Sequence, residues 1–357
     1  MSCTDCIVHQ IGSSDFLERL ASATPGPHEL PLAGTLELTL RCNLNCRHCY
    51  TKIPAAAESE LSTDGVRRVL DKLAESGVLL LLLTGGEIFA RSDFRTIYSH
   101  AKQCGFLLNL YTNGTLVDEE LAAFLAADPP RRIEITIYGH TRDTYEAVTG
   151  VSGSFARFRR GVEFLLERHL PVYFKTMVLK SNLHEFDEIK AWAGQLGRPF
   201  RYDAVVNPRL DGNLEPASER VSPDDVARLQ PVDEQSRAEI GRLRERACAE
   251  PIDRRLFKCG AGTKTFHVDP RGFVHPCMMW RQNPFSLLEG TVAGWKAVMA
   301  GLRDANAPQD SSCADCVSRF YCASCAAASL AETGKAGMET DYYCQLCAAR
   351  EKLLGIY

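Results

Sequence analysis

Three cysteines lie within eight residues of one another, in the run Arg41-Cys-Asn-Leu-Asn-Cys-Arg-His-Cys-Tyr50. The thiolates of Cys42, Cys46 and Cys49 can hold three irons of a [4Fe–4S] cube, whose full set of ligands would be four cysteines. The fourth iron would then be open to a ligand that is not protein. Zinc is the alternative, but it prefers four tetrahedral ligands, commonly two Cys-x2-Cys-like pairs, which this spacing fits poorly.

A second cysteine array occupies the C-terminal part of the chain. The sequence has 15 cysteines, which would suggest disulfides in a small secreted protein. Here the chain is large and its N-terminus lacks the pattern of a secretory signal, so the clustering indicates metal in a reducing compartment. Two zinc ribbons are the alternative for this array. Its members are Cys259, Cys277, Cys313, Cys316, Cys322, Cys325, Cys344 and Cys347.

The composition is that of an ordinary globular protein. Of the 357 residues, 45% are hydrophobic and 24% are charged, which suffices for one large core or two smaller ones. The net charge of −4 gives no electrostatic footprint for nucleic acid. The longest apolar stretch, residues 78–83, is far shorter than the ~20 residues of a membrane span. We therefore expect a cytoplasmic protein that binds neither nucleic acid nor membrane.

Short β-rich runs alternate with helical patterns from Thr35 to Val206, which predicts a parallel α/β sheet. The predicted strands are residues 35–40, 78–83, 106–111, 132–138, 172–178 and 200–206. The predicted helices are residues 62–76, 92–104, 118–127, 154–168 and 183–196, with a further one near 236–247.

Two candidate site segments follow the first two predicted strands. The cysteine run comes directly after the first strand, and Thr84-Gly-Gly-Glu87 comes after the second. In barrels built from parallel strands and helices, active sites lie beyond the C-terminal ends of the strands. Gly85 and Gly86 let the backbone approach a ligand closely, and the Glu87 carboxylate can accept from an ammonium group. A tight turn with an incidental glutamate is the alternative.

Together, the cysteine spacing and the Gly-Gly-Glu turn closely resemble the radical S-adenosylmethionine (SAM) enzymes. The resemblance implies a partial (β/α)6 barrel and a [4Fe–4S] cluster whose open iron chelates SAM. It also implies cleavage of SAM to methionine and a 5′-deoxyadenosyl radical, which abstracts hydrogen from a substrate. The resemblance assigns no catalytic side chain. The SAM contacts that it implies are Tyr50 on the adenine, Gly85, Gly86 and Glu87 on the amino group, Lys175 on the carboxylate, and Asn113 and Thr136 nearby. A turn or strand-end role is the alternative for Asn113, Thr136 and Lys175.

The C-terminal array resembles the SPASM extension, which binds two auxiliary [4Fe–4S] clusters. It departs from that pattern because Cys322 and Cys325 are separated by two residues rather than three. The resemblance assigns Cys313, Cys316, Cys322 and Cys344 to a distal cluster, and Cys259, Cys277 and Cys325 to a nearer one. We expect the nearer cluster to keep an open iron for substrate, unless Cys347 or Cys248 fills it. Cys3 and Cys6 are expected to be peripheral.

Enzymes with this extension mostly act on peptides or proteins. The chain resembles maturases of ribosomal peptides and, more distantly, anaerobic sulfatase maturases. The latter carry an aspartate where this chain has Met278, so we rank that function lower. The expected reaction is hydrogen abstraction from a peptide, leading to a crosslink, a thioether or an epimer. The alternatives are a radical SAM enzyme for a small molecule or tetrapyrrole and, more remotely, a non-catalytic electron-transfer protein.

The expected organisation is an N-terminal extension (1–34), the barrel (35–206), a bridging region (207–255) and the auxiliary cluster domain (256–357). About 34 residues before the barrel are too few for a leader-binding core. We therefore expect a separate protein to present any leader-bearing peptide, and flavodoxin or ferredoxin to supply electrons. Arg209 and Asp211, after the sixth strand, are candidate substrate contacts; a capped loop with an ion pair is the alternative.

Overall fold

The structure, a computed structural model, describes residues 31–52, 60–230, 233–290 and 292–356. Cys3, Cys6 and most of the predicted extension lie outside these ranges. No helix in the described ranges is long and apolar enough to cross a membrane.

A single sheet runs through the described molecule in the order β6-β5-β4-β3-β2-β1-β7-β8-β9. The first seven strands pair in parallel, β8 pairs antiparallel with β7, and β9 pairs antiparallel with β8. The strands are β1 Ala33–Glu37, β2 Leu80–Thr84, β3 Leu107–Thr112, β4 Arg132–Thr136, β5 Val172–Met177, β6 Phe200–Asp203, β7 Thr265–Val268, β8 Phe273–His275 and β9 Phe285–Ser286. The six predicted strands are all present, which confirms the parallel α/β class.

The helices that connect these strands also match the prediction, with ends that shift by a few residues. The prediction missed α4, a short helix that begins after Thr141, whose side chain accepts from the N–H of Thr144. It also missed α7, α9, α10 and α11. The helices are α1 Thr63–Glu75, α2 Phe94–Gln103, α3 Glu119–Ala127, α4 Arg142–Thr149, α5 Ser154–Glu167, α6 Phe186–Gln195, α7 Pro223–Arg228, α8 Glu234–Ala249, α9 Val292–Arg303, α10 Ala326–Thr333 and α11 Asp341–Leu354.

The strands of the barrel bury apolar side chains on one face and carry polar side chains on the other. Leu36, Leu108 and Ile133 are at most 1% exposed and belong to the main core, as do residues on the helices that cover them. Successive side chains of a strand point to opposite faces. The alternate positions on β3, β4 and β5 therefore form a polar face, which includes Tyr111, Glu134 and Lys175.

The C-terminal region is joined to the barrel by main-chain pairing. Strand β7 pairs with β1, with Phe266 opposite Gly34. A Cβ atom at Gly34 would lie 2.0 Å from the Phe266 ring, so the absence of a side chain there lets that ring pack on β1. The ring also meets Trp295 of α9 edge-on at 5.0 Å. The predicted barrel and C-terminal region therefore share one sheet, and the boundary between them stays a prediction.

Candidate metal centre and cofactor site

The loop that carries Cys42, Cys46 and Cys49 begins a few residues after β1 and closes against α4. The N–H of Asn45 donates to the carbonyl of Thr149 at 2.8 Å, and the N–H of Leu44 points to the Cys42 sulfur at 3.4 Å. Burial raises the pKa of the Cys42 thiol to about 11. A metal ligand must be deprotonated, so a cationic centre is what would hold this thiol as a thiolate.

The sulfur atoms of the cysteine loop are not as close together as a single zinc ion would hold them. A tetrahedral zinc with Zn–S bonds of 2.3 Å brings its sulfurs to about 3.8 Å from one another. In the described ranges, no three cysteine sulfurs lie within 4.8 Å of one another. The three thiols of the loop nevertheless interact electrostatically. They therefore suit a centre larger than a single ion, with N–H···S contacts of the kind that tune such clusters.

The Gly-Gly-Glu turn after β2 packs directly on the backbone that leads into the cysteine loop. A Cβ atom at Gly85 would lie 2.4 Å from the carbonyl oxygen of Thr39, and one at Gly86 would lie 2.4 Å from that of Arg41. The N–H groups of Gly86 and Glu87 donate to these same two carbonyls at 2.7 and 2.9 Å. Close backbone approach is therefore one physical reason for both glycines, and their contact with SAM stays a prediction.

The Glu87 carboxylate is fully buried and is occupied by protein donors. It accepts from the Thr112 hydroxyl at 2.8 Å, from the Asn113 N–H at 2.7 Å and from the Phe89 N–H at 3.1 Å. Burial raises its pKa to about 7 despite these bonds. The side chain thus ties the turn after β2 to the turn after β3, a role that sequence reasoning did not anticipate.

Asn113 links the turn after β3 to the cysteine loop. Its Nδ2 donates to Asn43 Oδ1 at 3.0 Å and points to the Cys42 sulfur at 3.8 Å. Its Oδ1 accepts from the N–H and the hydroxyl of Thr115 at 2.9 and 2.6 Å. The residue thus lies beside the candidate metal centre, at the position where the sequence predicts a SAM contact.

Thr136 and Lys175 face each other as register partners on β4 and β5. Thr136 is 7% exposed at the end of its strand. The Lys175 ammonium lies 3.3 Å from the centre of the Tyr111 ring, and burial lowers its pKa to about 7, although the nearby Glu134 carboxylate opposes this shift. Arg201 of β6 donates to Glu134 at 2.7 Å. Lys175 therefore belongs to a charged group on the polar face of the sheet.

Tyr50 joins the cysteine loop to the C-terminal region. Its hydroxyl donates to the sulfur of Met278 at 3.1 Å, although 228 positions separate the two residues. Burial raises the Tyr50 pKa, and the nearby Glu37 carboxylate adds to the effect. Glu37 in turn accepts from Arg281 at 2.8 Å. The hydroxyl is thus engaged, and adenine packing by the ring stays a prediction.

The C-terminal cysteines gather in two groups. Cys277 interacts electrostatically with Cys259 and Cys325, and burial raises its pKa to about 11. The second group contains the four cysteines assigned to the distal cluster and one more, Cys347, which hydrogen-bonds to Cys322. Cys248, the other candidate for the nearer vacancy, is exposed on α8. Cys313, Cys316, Cys322, Cys344 and Cys347 form the second group.

The exit from β6 forms a closed turn. Arg209 is 8% exposed and its guanidinium contacts Glu215, while Asp211 Oδ1 accepts from the N–H of Asn213 at 3.0 Å. The next N–H, of Leu210, donates to the carbonyl of Tyr50 at 3.0 Å. The geometry matches the alternative of a capped loop with an ion pair, and it places that loop against the cysteine loop.

Comparison with known families identifies the first part of the described molecule. The model of the radical SAM superfamily matches residues 36–193, which span β1 to α6 and include the cysteine loop. Residues 36–193 form a radical SAM domain. The chain therefore contains a radical SAM domain, and members of that superfamily use SAM together with a [4Fe–4S] cluster.

Two relatives of this chain belong to two chemical groups. An AdoMet-dependent heme synthase of Methanosarcina barkeri is 29% identical, over 86% of this chain and 94% of the relative. The antilisterial bacteriocin subtilosin biosynthesis protein AlbA of Bacillus subtilis is 27% identical, over 78% of this chain and 62% of the relative. The chain therefore spans less than two thirds of AlbA.

Solved structures bear on the fold alone. The structure of Streptococcus suis SuiB bound to precursor peptide SuiA superposes with a TM-score of 0.69 at 15% identity, over 88% of this chain and 76% of SuiB. The overlap extends beyond the 158 residues matched by the family model, so the similarity in fold reaches into the C-terminal part of the chain.

Proposed function

We propose that this radical SAM enzyme modifies a peptide and uses two auxiliary [4Fe–4S] clusters to do so. The observation that carries the proposal is the gathering of Cys259, Cys277 and Cys325 into a group beside the cysteine loop, through the contact of Met278 with Tyr50. The likeness to AlbA, and to the fold of SuiB seen with its precursor peptide, supports a peptide as substrate. The reaction would be a crosslink, a thioether or an epimerisation.

Cys42, Cys46 and Cys49 would hold the [4Fe–4S] cluster, which would supply the electron for cleavage of bound SAM. The surrounding side chains would orient SAM and exclude water. Asn113 and the Gly-Gly-Glu turn lie against the cysteine loop, and Lys175 would meet the SAM carboxylate from the polar face. The residue after Cys277 is Met278, which is neither an acid nor a base. We therefore assign no proton acceptor to the reaction.

The nearer auxiliary cluster is proposed to keep one iron open to substrate. The sequence offered Cys347 and Cys248 as a fourth ligand. Cys347 lies with the distal group, and Cys248 is not among the cysteines that interact electrostatically with Cys277. Cys259→Ser should lower the iron content and should alter the change in the Mössbauer spectrum that is seen when substrate is added. The matched control Cys248→Ser should change neither quantity. Four protein cysteines on both auxiliary clusters, by mutagenesis and Mössbauer spectroscopy, would rule the proposal out.

A small-molecule reaction is the second candidate function. The chain aligns with 94% of the length of the heme synthase of Methanosarcina barkeri, which supports a tetrapyrrole as the alternative substrate. The two functions differ in what accelerates SAM cleavage. An iron tetrapyrrole and a short Cys- or Gly-rich peptide encoded beside this chain are therefore the two substrates to compare.

The test is formation of 5′-deoxyadenosine by the anaerobically reconstituted protein with SAM and a strong reductant. We expect product from the wild type and none from a Cys42/Cys46/Cys49→Ala triple variant. A peptide that raises the rate and gains a modification by mass spectrometry supports the proposal. If only the tetrapyrrole raises the rate of 5′-deoxyadenosine formation, the second candidate function is supported instead. Absence of product from iron-loaded wild type favours the electron-transfer protein.

The physiological partners follow from this proposal. A flavodoxin or ferredoxin would supply the electron, and a separate leader-binding protein would present the peptide. Tight binding of a precursor peptide to this chain alone would remove the need for the second partner.

A further inference from the structure

One group of potential metal ligands lies away from every iron–sulfur site of the described molecule. Asp71 of α1 faces His100 and Cys104, which lie one helical turn apart at the end of α2. Residues four apart on a helix share one face, so the imidazole and the thiol project toward the same point. The functional sites described above use none of these three side chains.

The three ligand atoms converge. His100 Nε2 lies 2.7 Å from Asp71 Oδ1, and the Cys104 sulfur lies 3.7 Å from the same oxygen. The carboxylate oxygen, the imidazole nitrogen and the sulfur are all within 4.8 Å of one another, and no other set of three in the described ranges meets that limit. The edges of a zinc tetrahedron with such donors are about 3.3 to 3.8 Å. Small side-chain movements would therefore suffice to receive an ion.

We propose that Asp71, His100 and Cys104 bind a zinc ion that links α1 to α2 on the outer side of the barrel. Imidazole, thiolate and carboxylate are the three protein donors that zinc uses, and water would complete the tetrahedron. Asp71 is half exposed and the His100 side chain is 16% exposed, so an ion can enter from solvent. The ion would bridge two packed helices outside the cofactor site, and its water position would face solvent.

The electrostatics without metal are consistent with this arrangement. Burial and then the Asp71 carboxylate raise the pKa of the Cys104 thiol, because a second negative charge beside a carboxylate is unfavourable. A divalent cation between the two groups removes that repulsion and favours the thiolate. Zinc binding would therefore release a proton and protect the sulfur from alkylation.

The test uses iron-loaded protein, in which cluster cysteines are occupied, with zinc added at one equivalent and a weak chelator present. We expect zinc to slow alkylation of Cys104 by iodoacetamide at least about tenfold, measured by peptide mass spectrometry. His100→Ala and Asp71→Asn should abolish this protection. The matched control is His184→Ala, which removes another histidine beside a carboxylate, since His184 lies 3.9 Å from Glu185 but has no cysteine in the pair.

Metal analysis gives the second readout. Zinc per chain should fall by about one in His100→Ala, with iron unchanged, and should stay at the wild-type value in His184→Ala. Equal alkylation rates with and without zinc in the wild type would overturn the proposal. So would protection that persists in both His100→Ala and Asp71→Asn, because zinc would then be an adventitious ion only. In that case the three residues form only a hydrogen-bonded contact between the helices.

Discussion

Lys175 is a half-buried charge on the polar face of the sheet. Its ammonium rests on the Tyr111 ring and has Glu134 nearby, and burial lowers its pKa to about 7. The same side chain is the one that the sequence predicts against the SAM carboxylate. Its charge state near neutral pH therefore controls how well it can bind an anion.

The affinity for SAM is expected to fall as pH rises through about 7. Lys175 carries its charge below its pKa and loses it above, so the attraction for a carboxylate is present at the lower pH. A charged hydrogen bond contributes about 1.5–3 kcal/mol, so we expect a loss of about tenfold in affinity. The affinity is measured between pH 6 and 8 by equilibrium dialysis of labelled SAM against the iron-loaded protein.

Lys175→Arg is the control for that prediction, because a guanidinium stays charged over the same range. The variant should bind SAM with little dependence on pH between 6 and 8. If it keeps the full wild-type dependence, another group such as Glu87 is responsible, and Lys175 does not contact the carboxylate.

At the scale of elements, one turn and one ion pair connect the segments at the mouth of the barrel. The Gly-Gly-Glu turn lies on the backbone before the cysteine loop. Arg91 and Asp93, just after that turn, form a two-bond ion pair at 2.8 and 2.7 Å. Arg91 also donates to the carbonyl of Leu38 at 2.8 Å, and Thr63 donates to Asp93 at 2.6 Å. The pair therefore joins β1, the start of α1 and the start of α2.

Gly86→Ala should disrupt the cysteine loop, because the new Cβ would lie 2.4 Å from the carbonyl oxygen of Arg41. The neighbouring atom is backbone, which cannot rotate away, so we expect a loss of about 2–3 kcal/mol in the free energy of unfolding and a lower iron content. Urea unfolding and iron analysis measure both.

Gly194→Ala is the matched substitution, since that glycine lies within α6 and its Cβ would meet no atom within 4 Å. It should stabilise the protein by up to about 1 kcal/mol, because alanine favours the helix. A Gly86→Ala variant as stable and as iron-rich as Gly194→Ala would contradict the close backbone packing.

Asp93→Ala should cost about 3 kcal/mol, because it leaves the Arg91 guanidinium, only 5% exposed, without its partner. The ion pair also predicts a dependence on pH. Arg91 lowers the Asp93 pKa to about 2 from an ordinary 3.8, so the stabilisation is full above pH 4 and is lost as pH falls toward 2. The difference in unfolding free energy between wild type and variant should shrink over that interval.

Asp64→Ala provides the comparison, because Asp64 pairs with Arg67 at 3.8 Å while its side chain is 89% exposed. That exposed pair should contribute no more than about 0.5 kcal/mol. Equal losses in the two variants would mean that the Arg91–Asp93 pair does not hold the elements together.

At the scale of the whole molecule, the C-terminal region completes the barrel's sheet and reaches its site. Strand β7 covers the edge of β1. Arg220, in the bridging region, donates to Glu332 of α10 at 3.0 and 2.5 Å and packs on Tyr342 of α11. Met278 contacts Tyr50 across the same junction. The position of the auxiliary cysteines relative to the cysteine loop therefore depends on this packing.

The packing of Phe266 on Gly34 predicts coupled effects of substitution. Gly34→Ala should cost about 2 kcal/mol, because its Cβ would overlap the ring. Phe266→Leu alone should also destabilise, by leaving space against Trp295. The double variant should lose less than the sum of the two, by at least about 0.5 kcal/mol in urea unfolding. Additive losses would show that the two residues do not pack together in solution.

The sequence alone predicted the parallel α/β sheet, and it also yielded the candidate residues for the chemistry, which stay predictions. Alternation of apolar positions, helix caps such as Ser62 and Asp118, and the spacing of Cys42, Cys46 and Cys49 are all local, so they can be read from neighbouring residues. The family that those residues indicated is confirmed by the match over residues 36–193. Helix α4 was missed because it has only eight residues, too few for a periodic pattern to stand out along the chain.

Only the tertiary structure decided which of these residues meet. The partners of Glu87 lie 25 and 26 positions away, and Met278 lies 228 positions from Tyr50, so no local pattern predicts their contacts. The same holds for Cys347, which lies with Cys322 rather than in the nearer group, because the turn of α11 directs its sulfur there. Spacing along the chain sets which residues can act, and packing sets which of them act together.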